Sequence, residues 1–388
     1  MGPVRVFRRS LRDGLVSVIR QVLATDDGRA MVTASARGLL HGRPTVVQGD
    51  GLLAAPPYPD LGAAQTKGRT CQRSDVILIT GRFRSGSTLL WNLFRNIPGY
   101  TAYYEPLNER RWFDPAVRGD RTDATHRNVS DYWKEYDGLR ELGAYYREEW
   151  IRRHLFMDEH FWDPGLKRYI EILIERAPGR PVLQFNRIDF RLPWFRRHLP
   201  NAQIVHLYRH PRDQWCSALM DVKCFPRHGR VEEFAAHDKF YLLNWANDLK
   251  YHFPFLEPGA ADHPYQLFYY VWKLSYLFGR RYADQSLAFE HLVGDPAGRL
   301  EELLGVLNVR GGDLAALQKL FAAPPLGKWK EYADDAWFRA HETVCETTLA
   351  DFFAAGPADT APRLNGAAHV PSANGASELQ RHDYLACQ

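Results

Sequence analysis

The sequence lacks the patterns typical of disulfide-stabilised, zinc-binding and membrane-spanning proteins. Its 388 residues include five cysteines, an odd number, and no two of them form a C-x-x-C pair. This cysteine usage speaks against a disulfide framework or a zinc site and favours a reducing compartment. The chain has no apolar run of about 18 residues, and its N-terminus has no apolar signal-peptide core, so we expect a cytoplasmic protein.

An extended basic surface is also missing. The formal net charge is +4, with 45% hydrophobic and 25% charged residues, which is an ordinary globular composition. Arginines cluster only locally, between positions 73 and 95 and between positions 187 and 212. Such clusters suit an anionic small ligand better than a nucleic-acid duplex, which needs a continuous basic face. We therefore expect no nucleic-acid partner.

The composition divides the chain into three regions. Residues 1–74 begin with arginines between apolar residues at helical spacing over 4–24 and then become rich in Ala, Gly and Pro. We predict a helix there that either packs on its own domain or lies on a membrane surface, which would make the protein peripheral. Residues 75–350 carry the core domain. Residues 351–388 are poor in bulky apolar residues and are predicted to be disordered.

Strands and helices alternate within the core domain. In chain order we predict a strand at 76–80, a helix at 87–95, a strand at 182–185, a helix at 192–198, a strand at 203–208, a helix after Pro211, and a strand and helix over 287–307. The aromatic stretches 107–180 and 230–285 are predicted to be largely helical. This alternation indicates an α/β fold with a central parallel sheet flanked by helices.

The segment GRFRSGSTLLWNLF, which starts at Gly81, joins the first predicted strand to the first helix. In such a turn, backbone N–H groups and the helix dipole can hold a phosphate. Gly81 and Gly86 have the spacing of the nucleotide-hydrolase loop G-x-x-x-x-G-K-[ST]. Thr88 stands at the last position of that motif, where the side-chain hydroxyl would bind Mg²⁺. Ser87 stands where that loop has its lysine, which neutralises a triphosphate. With Arg84 as its cation, the loop suits a 5′-phosphosulfate, and we expect no metal requirement.

A second phosphate-binding segment is predicted in IVHLYRHPRDQWCSALM. The buried strand ends at Arg209, and Ser217 follows eight residues later in the next helix. This spacing allows the guanidinium and the hydroxyl to face one phosphate group.

Together the two segments resemble those of sulfotransferases that use 3′-phosphoadenosine 5′-phosphosulfate (PAPS). In that family a Lys or Arg precedes Ser-Gly-[ST]-[ST], as in R-S-G-S-T here, and an Arg and a Ser eight residues apart bind the 3′-phosphate. The resemblance covers about residues 75–335 and implies the P-loop-like sulfotransferase fold, PAPS as co-substrate and PAP as product. The nucleotide-binding residues it implies are Arg84, Ser85, Gly86, Ser87, Thr88, Leu89, Arg209, Ser217 and, in the C-terminal loop GKWKEY, Lys328 and Trp329.

One part of the family pattern is absent. The cytosolic branch of the family carries a basic-basic-Gly triplet before the C-terminal loop, where this chain has Ala322, Ala323 and Pro324. Lys328 and Lys330 are either substitutes for that triplet or solvated surface residues.

The predicted general base also departs from the cytosolic branch. That branch uses a His 22 residues before the strand-end arginine, where this chain has Arg187, which cannot act as a base. The Golgi-type branch, which acts on sugars and tyrosine, instead uses a Glu shortly after the first helix. YYEPLNE supplies Glu105, 21 residues after Arg84, and its Glu-Pro pair resembles carbohydrate sulfotransferases. We therefore predict Glu105 as the base.

Other roles follow from the same resemblance or remain open. Arg84 and Arg187 are the candidates for holding the sulfonate and the bridging oxygen. The alternatives are that Glu105 is a structural ion-pair partner or that the base lies elsewhere, for example at Glu109 or His210. Asn186 and Asp189 are further candidates for the site, His206 is predicted to be a core histidine, and Glu290 and Asp295 are predicted to be structural.

The sequence thus predicts an enzyme that transfers a sulfuryl group from PAPS to a hydroxyl of a carbohydrate, a glycolipid or a glycosylated metabolite. The alternatives are a P-loop nucleotide kinase or NTPase and a non-catalytic PAP-binding protein. The identity of the acceptor and the oligomeric state are left open.

Overall fold

The computed structural model describes residues 73–123, 126, 128–321 and 326–354 of the chain. The predicted N-terminal helix, the predicted disordered tail and the Ala-Ala-Pro triplet lie outside these residues. Within them, no helix combines the length and the apolar character needed to cross a membrane.

The core of the structure is a five-stranded sheet in which all strands are parallel. Its strands are β1 (Ile77–Thr80), β2 (Tyr100–Tyr104), β3 (Arg180–Phe185), β4 (Gln203–Tyr208) and β5 (Gln285–Ala288). Their order is β2-β3-β1-β4-β5, so β1 is central, and Ile77 lies opposite Val182 on one side and Gln203 on the other. Because all strands are parallel, their carboxyl ends share one edge of the sheet. The predicted α/β fold class is confirmed.

Helices cover the sheet. They are α1 (Ser87–Arg95), α2 (Pro164–Arg176), α3 (Leu192–His198), α4 (Pro211–Ala218), α5 (Leu242–Leu249), α6 (Pro264–Tyr282), α7 (Phe289–Gly294), α8 (Pro296–Val306), α9 (Leu314–Gln318) and α10 (Asp335–Ala354). The bounds predicted for α1 and α3 are confirmed. The central strand β1 is buried at every position and β2, β3 and β4 at most positions, as expected for parallel strands covered on both faces.

Two acidic residues support helix ends, as predicted. Asp295 precedes α8, and its carboxylate accepts the N–H of Gly298 at 3.0 Å, which satisfies a first-turn donor. Glu290 in α7 accepts the backbone N–H of His210 at 2.9 Å, just before α4. Both carboxylates are therefore structural.

The prediction of a mostly helical stretch after residue 107 is wrong up to the start of α2. That part of the chain forms short 3-10 turns joined by loops: Lys134–Tyr136, Arg140–Ala144 and Glu148–Ile151. Gly138 has φ +86°, a left-handed conformation that interrupts any continuous helix. The aromatic residues are nevertheless buried, because helical spacing predicts which side chains face the core and not which backbone hydrogen bonds form.

A buried arginine replaces part of the missing backbone pairing in this stretch. The side chain of Arg191 is fully buried and donates to the carbonyl oxygens of Trp150 (2.8 Å), Arg153 (2.9 Å) and His154 (2.9 Å). Its Nη1 also donates to the carbonyl oxygen of Arg187 at 3.0 Å. Buried carbonyls require such partners, so Arg191 makes an irregular segment compatible with a buried position.

The helix α10, which the sequence did not predict, packs on α6 and is joined to α4 by a buried ion pair. Glu342 in α10 accepts two hydrogen bonds from Arg212 in α4, at 2.8 and 2.7 Å, and a third from Tyr265 at 2.7 Å. The C-terminal helix is thereby fixed to the helix that follows β4.

Candidate active site

A cavity of about 650 Å³ opens between the ends of the parallel strands and the loops that follow them. Arg84 lines it from the turn after β1, and Arg209 lines it from the end of β4. The two arginines are 125 residues apart in sequence, yet Nη1 of Arg209 lies 3.5 Å from the carbonyl oxygen of Arg84. The two segments predicted to bind phosphate therefore reach the same cavity.

The turn after β1 has an unusual backbone that exposes the start of α1. Arg84 has φ +67°, and Gly86, the residue before α1, has φ +95°. A Cβ atom on Gly86 would lie 2.4 Å from the ring of Phe289, so only glycine fits. No side chain caps this helix end, and the first N–H groups of a helix have no partner within the helix. The turn is thus suited to an anion.

The hydroxyl groups of this turn differ in their surroundings. Ser87 and Thr88 line the cavity, together with Gly86 and Leu89. Ser87 Oγ accepts from Gln184 Nε2 at 3.1 Å, and Thr88 Oγ1 lies 3.2 Å from the hydroxyl of Tyr104. The predicted ligand-binding residue Ser85 is fully buried below the turn, and its Oγ has no hydrogen-bond partner.

The end of β4 supplies a second cationic position. Arg209 is 7% exposed, its guanidinium lies 5.1 Å from the ring of Phe289, and its buried Nε has no hydrogen-bond partner. Burial lowers the pKa of Arg209, although Asp213 and Glu290 act in the opposite direction. Ser217 in α4 also lines the cavity, and its Oγ accepts from Arg84 Nε at 3.1 Å. The residues predicted for the two ends of the nucleotide are therefore in direct contact.

A buried carboxylate lies in the same cavity. Glu105 directly follows β2 with φ +40°, and only 5% of it is exposed. Its Oε2 accepts from Asn108 Nδ2 at 2.7 Å and from Arg187 Nη1 at 3.0 Å, and its Oε1 accepts from Asn186 Nδ2 at 2.6 Å. Three N–H donors thus orient the carboxylate. Asn108, which the sequence analysis did not single out, stands within the quoted motif YYEPLNE.

Arg187, the neighbour of this carboxylate, binds a second one. Its Nη2 donates to Glu109 Oε2 at 2.6 Å, and the other oxygen of Glu109 accepts from the hydroxyl of Tyr241 at 2.9 Å. Burial disfavours the charged form of Arg187, but the carboxylates of Glu105 and Glu109 outweigh this effect and raise its pKa. Tyr241 belongs to a loop that no sequence signal connected with the site.

Strained backbone is concentrated around this cavity. Eight non-glycine residues in the described part of the chain have positive φ, and three of them, Arg84, Glu105 and Tyr241, line the cavity. Such conformations cost of order 1–3 kcal/mol each and persist where the surrounding structure enforces them, as it often does in functional sites.

The C-terminal loop does not reach the cavity. Lys328 and Trp329 lie in a 3-10 turn whose backbone is held by Asp213, through the N–H groups of Gly327 (2.9 Å) and Trp329 (3.3 Å). The ring of Trp329 packs against the guanidinium of Arg212. Neither Lys328 nor Trp329 lines the cavity described here, so their binding to the nucleotide stays a prediction.

Three other candidates lie away from the cavity. His206 is fully buried within β4 and pairs with Ser286 Oγ at 2.8 Å, which confirms the prediction of a core histidine. Asp189 accepts hydrogen bonds from Thr80 and from Ser275, so its carboxylate links parts of the core. His210 is also absent from the cavity lining.

Comparison with known proteins agrees with this geometry. A sequence model of the Sulfotransferase family matches residues 76–250, a range that contains both arginine segments and the buried carboxylate. No curated protein matches the chain.

Several solved structures are similar to the chain. A sulfotransferase from Alicyclobacillus acidocaldarius has 16% sequence identity over 73% of this chain and 95% of that chain, with a TM-score of 0.36. Sulfotransferase STF9 from Mycobacterium avium has 11% identity over 76% of this chain and 79% of that chain, with a TM-score of 0.38. The sulfotransferase domain of the Synechococcus PCC 7002 olefin synthase has 17% identity over 72% of this chain and 94% of that chain, with a TM-score of 0.29.

Residues 76–250, a little less than half of the chain, are thus similar in sequence to the Sulfotransferase family, which favours a sulfotransferase over the nucleotide-kinase and non-catalytic alternatives.

Proposed function

We propose that this chain is a PAPS-dependent sulfotransferase that sulfates a hydroxyl group of a carbohydrate, a glycolipid or a glycosylated metabolite, with Glu105 as the general base. The observation that carries the proposal is that Glu105 shares one cavity with Arg84 and Arg209, which belong to the two phosphate-binding segments. The Glu-Pro pair after β2 further supports a likeness to the Golgi-type branch of the family.

In this proposal the nucleotide lies between the two segments. The N–H groups at the start of α1, with Arg84, Ser87 and Thr88, hold the 5′-phosphosulfate. Arg209 and Ser217 hold the 3′-phosphate. The fit is supported by the buried Nε of Arg209, which has no protein partner, and by the close packing of Gly86 on Phe289, which leaves no room for a side chain beside the ligand.

The reaction is an in-line displacement at sulfur. Glu105 takes the proton of the acceptor hydroxyl while the acceptor oxygen forms a bond to sulfur. The bond between sulfur and the bridging oxygen breaks, and PAP leaves with the electron pair on its 5′-phosphate. Arg84 lies where it can offset the charge that develops on the leaving phosphate. Both terminal nitrogens of Arg187 already bind carboxylates, which favours a position beside the base over one on the phosphate.

Aromatic residues in the cavity support a sugar as the acceptor. One group contains Tyr104 and Tyr132, whose rings stack at 4.5 Å, and Trp112, 5.1 Å from Tyr132. The other contains Phe83 and Phe240, with ring centroids 5.2 Å apart. All of them line the cavity, and aromatic faces suit the apolar side of a pyranose ring.

A transfer assay with labelled PAPS and a panel of sugars, glycolipids and phenols tests the acceptor class. Sulfation of phenols alone would contradict the carbohydrate assignment. Micromolar PAP should raise the melting temperature without metal, whereas stabilisation only by ATP with Mg²⁺ would contradict the nucleotide assignment.

The variant Glu105→Gln tests the base. It keeps the size of the side chain but cannot take the proton, so turnover should fall on the order of 10²–10⁴-fold. PAP affinity, measured by calorimetry, should remain close to that of the parent protein. Glu148→Gln is the matched control, because Glu148 is 64% exposed and does not line the cavity. Near-normal turnover of Glu105→Gln would show that the base is another group.

A further inference from the structure

The guanidinium of Arg187 is shared between two carboxylates. Nη1 donates to Glu105 Oε2 at 3.0 Å, and Nη2 donates to Glu109 Oε2 at 2.6 Å. The three side chains form a row with two negative charges and one positive charge. The second carboxylate, Glu109, has no assigned part in the reaction.

This guanidinium is enclosed and depends on its ionic partners. The side chain of Arg187 is 2% exposed, and the guanidinium lies 4.9 Å from the ring of Phe83 and 5.8 Å from the ring of Tyr241. Water therefore contributes little to its solvation. A buried charge that loses its counter-charge is strongly destabilising, by about 3–5 kcal/mol where single partners have been removed.

Glu109 is itself held in place. Its Oε1 accepts from the hydroxyl of Tyr241 at 2.9 Å while its Oε2 binds Arg187. Its side chain remains 39% exposed at the wall of the cavity, whereas the side chain of Glu105 is only 6% exposed.

Proton transfer to Glu105 makes this arrangement important. When Glu105 takes the acceptor's proton, it loses its negative charge, and an Arg187 paired with Glu105 alone would be left uncompensated. We propose that Glu109, fixed by Tyr241, is a positioning residue that keeps Arg187 paired during this step and so allows Glu105 to act as a base. The inference rests on the proposed role of Glu105 as the base.

Several other titratable groups surround the pair. In the described part of the chain, the groups that interact electrostatically with Glu105 include Arg187, His126, Tyr104, Tyr132 and Tyr136, and those that interact with Glu109 include Arg187, Tyr146 and Tyr241. Burial raises the pKa of every one of these tyrosines, so they stay neutral at working pH. Burial lowers the pKa of His126, which also lines the cavity, below its usual 6.5. A pH experiment must therefore include a control for the titration of His126.

The experiment compares the pH dependence of kcat in the parent protein and in Glu109→Gln. The glutamine can still accept hydrogen bonds but removes the second negative charge, so Arg187 then pairs only with Glu105. We expect kcat to fall about tenfold, because the base now holds its charge more tightly. For the same reason the acid limb of the kcat profile should move to lower pH by about one unit. KM for PAPS should change by less than about threefold, since the nucleotide segments are untouched.

Two further variants, and a repeat of the measurement in a protein that also carries a substitution of His126, complete the test. Tyr241→Phe frees Glu109 without removing its charge and should give a smaller fall in kcat, about 2–10-fold. The shift of the acid limb should persist when His126→Gln is also present. The exposed control Glu148→Gln should leave both kcat and the limb unchanged.

The outcomes separate the two proposals. If the acid limb of the kcat profile does not move in Glu109→Gln, the inference is overturned. This holds when kcat is normal, and it also holds when kcat and the melting temperature fall together, because a structural defect lowers activity without moving the limb. If Glu105→Gln is inactive while Glu109→Gln behaves like the parent, only this inference fails. If Glu105→Gln turns over normally, the proposed function fails and the inference fails with it.

Discussion

The substitution Arg209→Ala tests the assignment of the 3′-phosphate site. Arg209 lies at the end of β4, is 7% exposed, and makes only a long hydrogen bond of 3.5 Å to the carbonyl oxygen of Arg84. Its buried Nε has no hydrogen-bond partner among the residues that the structure describes. Removing the side chain therefore breaks few internal contacts, and the main loss should be in ligand binding.

The size of the loss follows from the contacts that the guanidinium can make. Hydrogen bonds to charged groups contribute about 1.5–3 kcal/mol each, and a guanidinium can bind a phosphate through two of them. Water can partly replace the guanidinium in the variant, so each of the two hydrogen bonds is counted at the lower end of this range. The expected loss of binding free energy is then about 3 kcal/mol. This corresponds to a Kd for PAP that is higher on the order of 100-fold.

Calorimetric titration with two ligands makes the assay specific. PAP carries both phosphates, whereas AMP lacks the 3′-phosphate that Arg209 is assigned to bind. Arg209→Ala should therefore weaken PAP strongly and leave the affinity for AMP within about twofold of the parent value. Ser217→Ala is the milder companion, with an expected loss of about 2–10-fold for PAP.

Loss of PAP and AMP affinity by the same factor in Arg209→Ala would contradict the assignment of Arg209 to the 3′-phosphate. Equal losses would mean that the arginine supports the cavity generally or binds the 5′ end. Circular dichroism and the melting temperature of the variant exclude a folding defect as the cause.

Two further predictions concern stability. Gly86→Ala should destabilise the fold by about 2–4 kcal/mol in urea unfolding, because the alanine needs φ +95° and its Cβ would lie 2.4 Å from Phe289. Gly99→Ala, at φ +84° with open space around it, should cost only about 1–2 kcal/mol, and equal losses would contradict the steric argument. Burial lowers the pKa of His206 from 6.5 to about 4, so the folded state resists a proton that the unfolded state accepts. The contribution of His206 to the unfolding free energy should thus be constant above about pH 6.5 and fall by about 3 kcal/mol towards pH 4, in addition to the falls expected from His198 and His263, whose pKa values burial also lowers to about 4. His206→Gln should flatten this fall, and an identical slope in the variant would exclude His206 as its source.

The parts of the fold that could be predicted are those with local signals. The strand β4 reads as a continuous apolar run that ends at an arginine, and α1 begins directly after a glycine loop. In contrast, β2 is a short run of tyrosines and small residues, YTAYY, whose strand character depends on pairing with β3, about 80 residues away. The helix α10 was missed because its contacts are with α6 and α4, which are also distant in sequence.

The candidate site likewise has parts that the sequence could predict and parts that it could not. The two arginine segments were predictable because the carboxyl ends of parallel strands meet at one edge, and the motif of each segment is contiguous in sequence. The row formed by Glu105, Arg187 and Glu109 was not predictable, because its hydrogen bonds join residues 78 and 82 positions apart. Tyr241 is 132 residues from Glu109 and carries no motif at all.

The four carbonyl contacts of Arg191 have a consequence for variation outside the cavity. This one side chain ties the peptide group of Arg187 to the stretch around Trp150 and His154, which has little regular structure of its own. Any change that displaces that stretch must either break these bonds or pull on the residue beside the base. Sequence differences there can therefore alter the chemistry without touching either substrate.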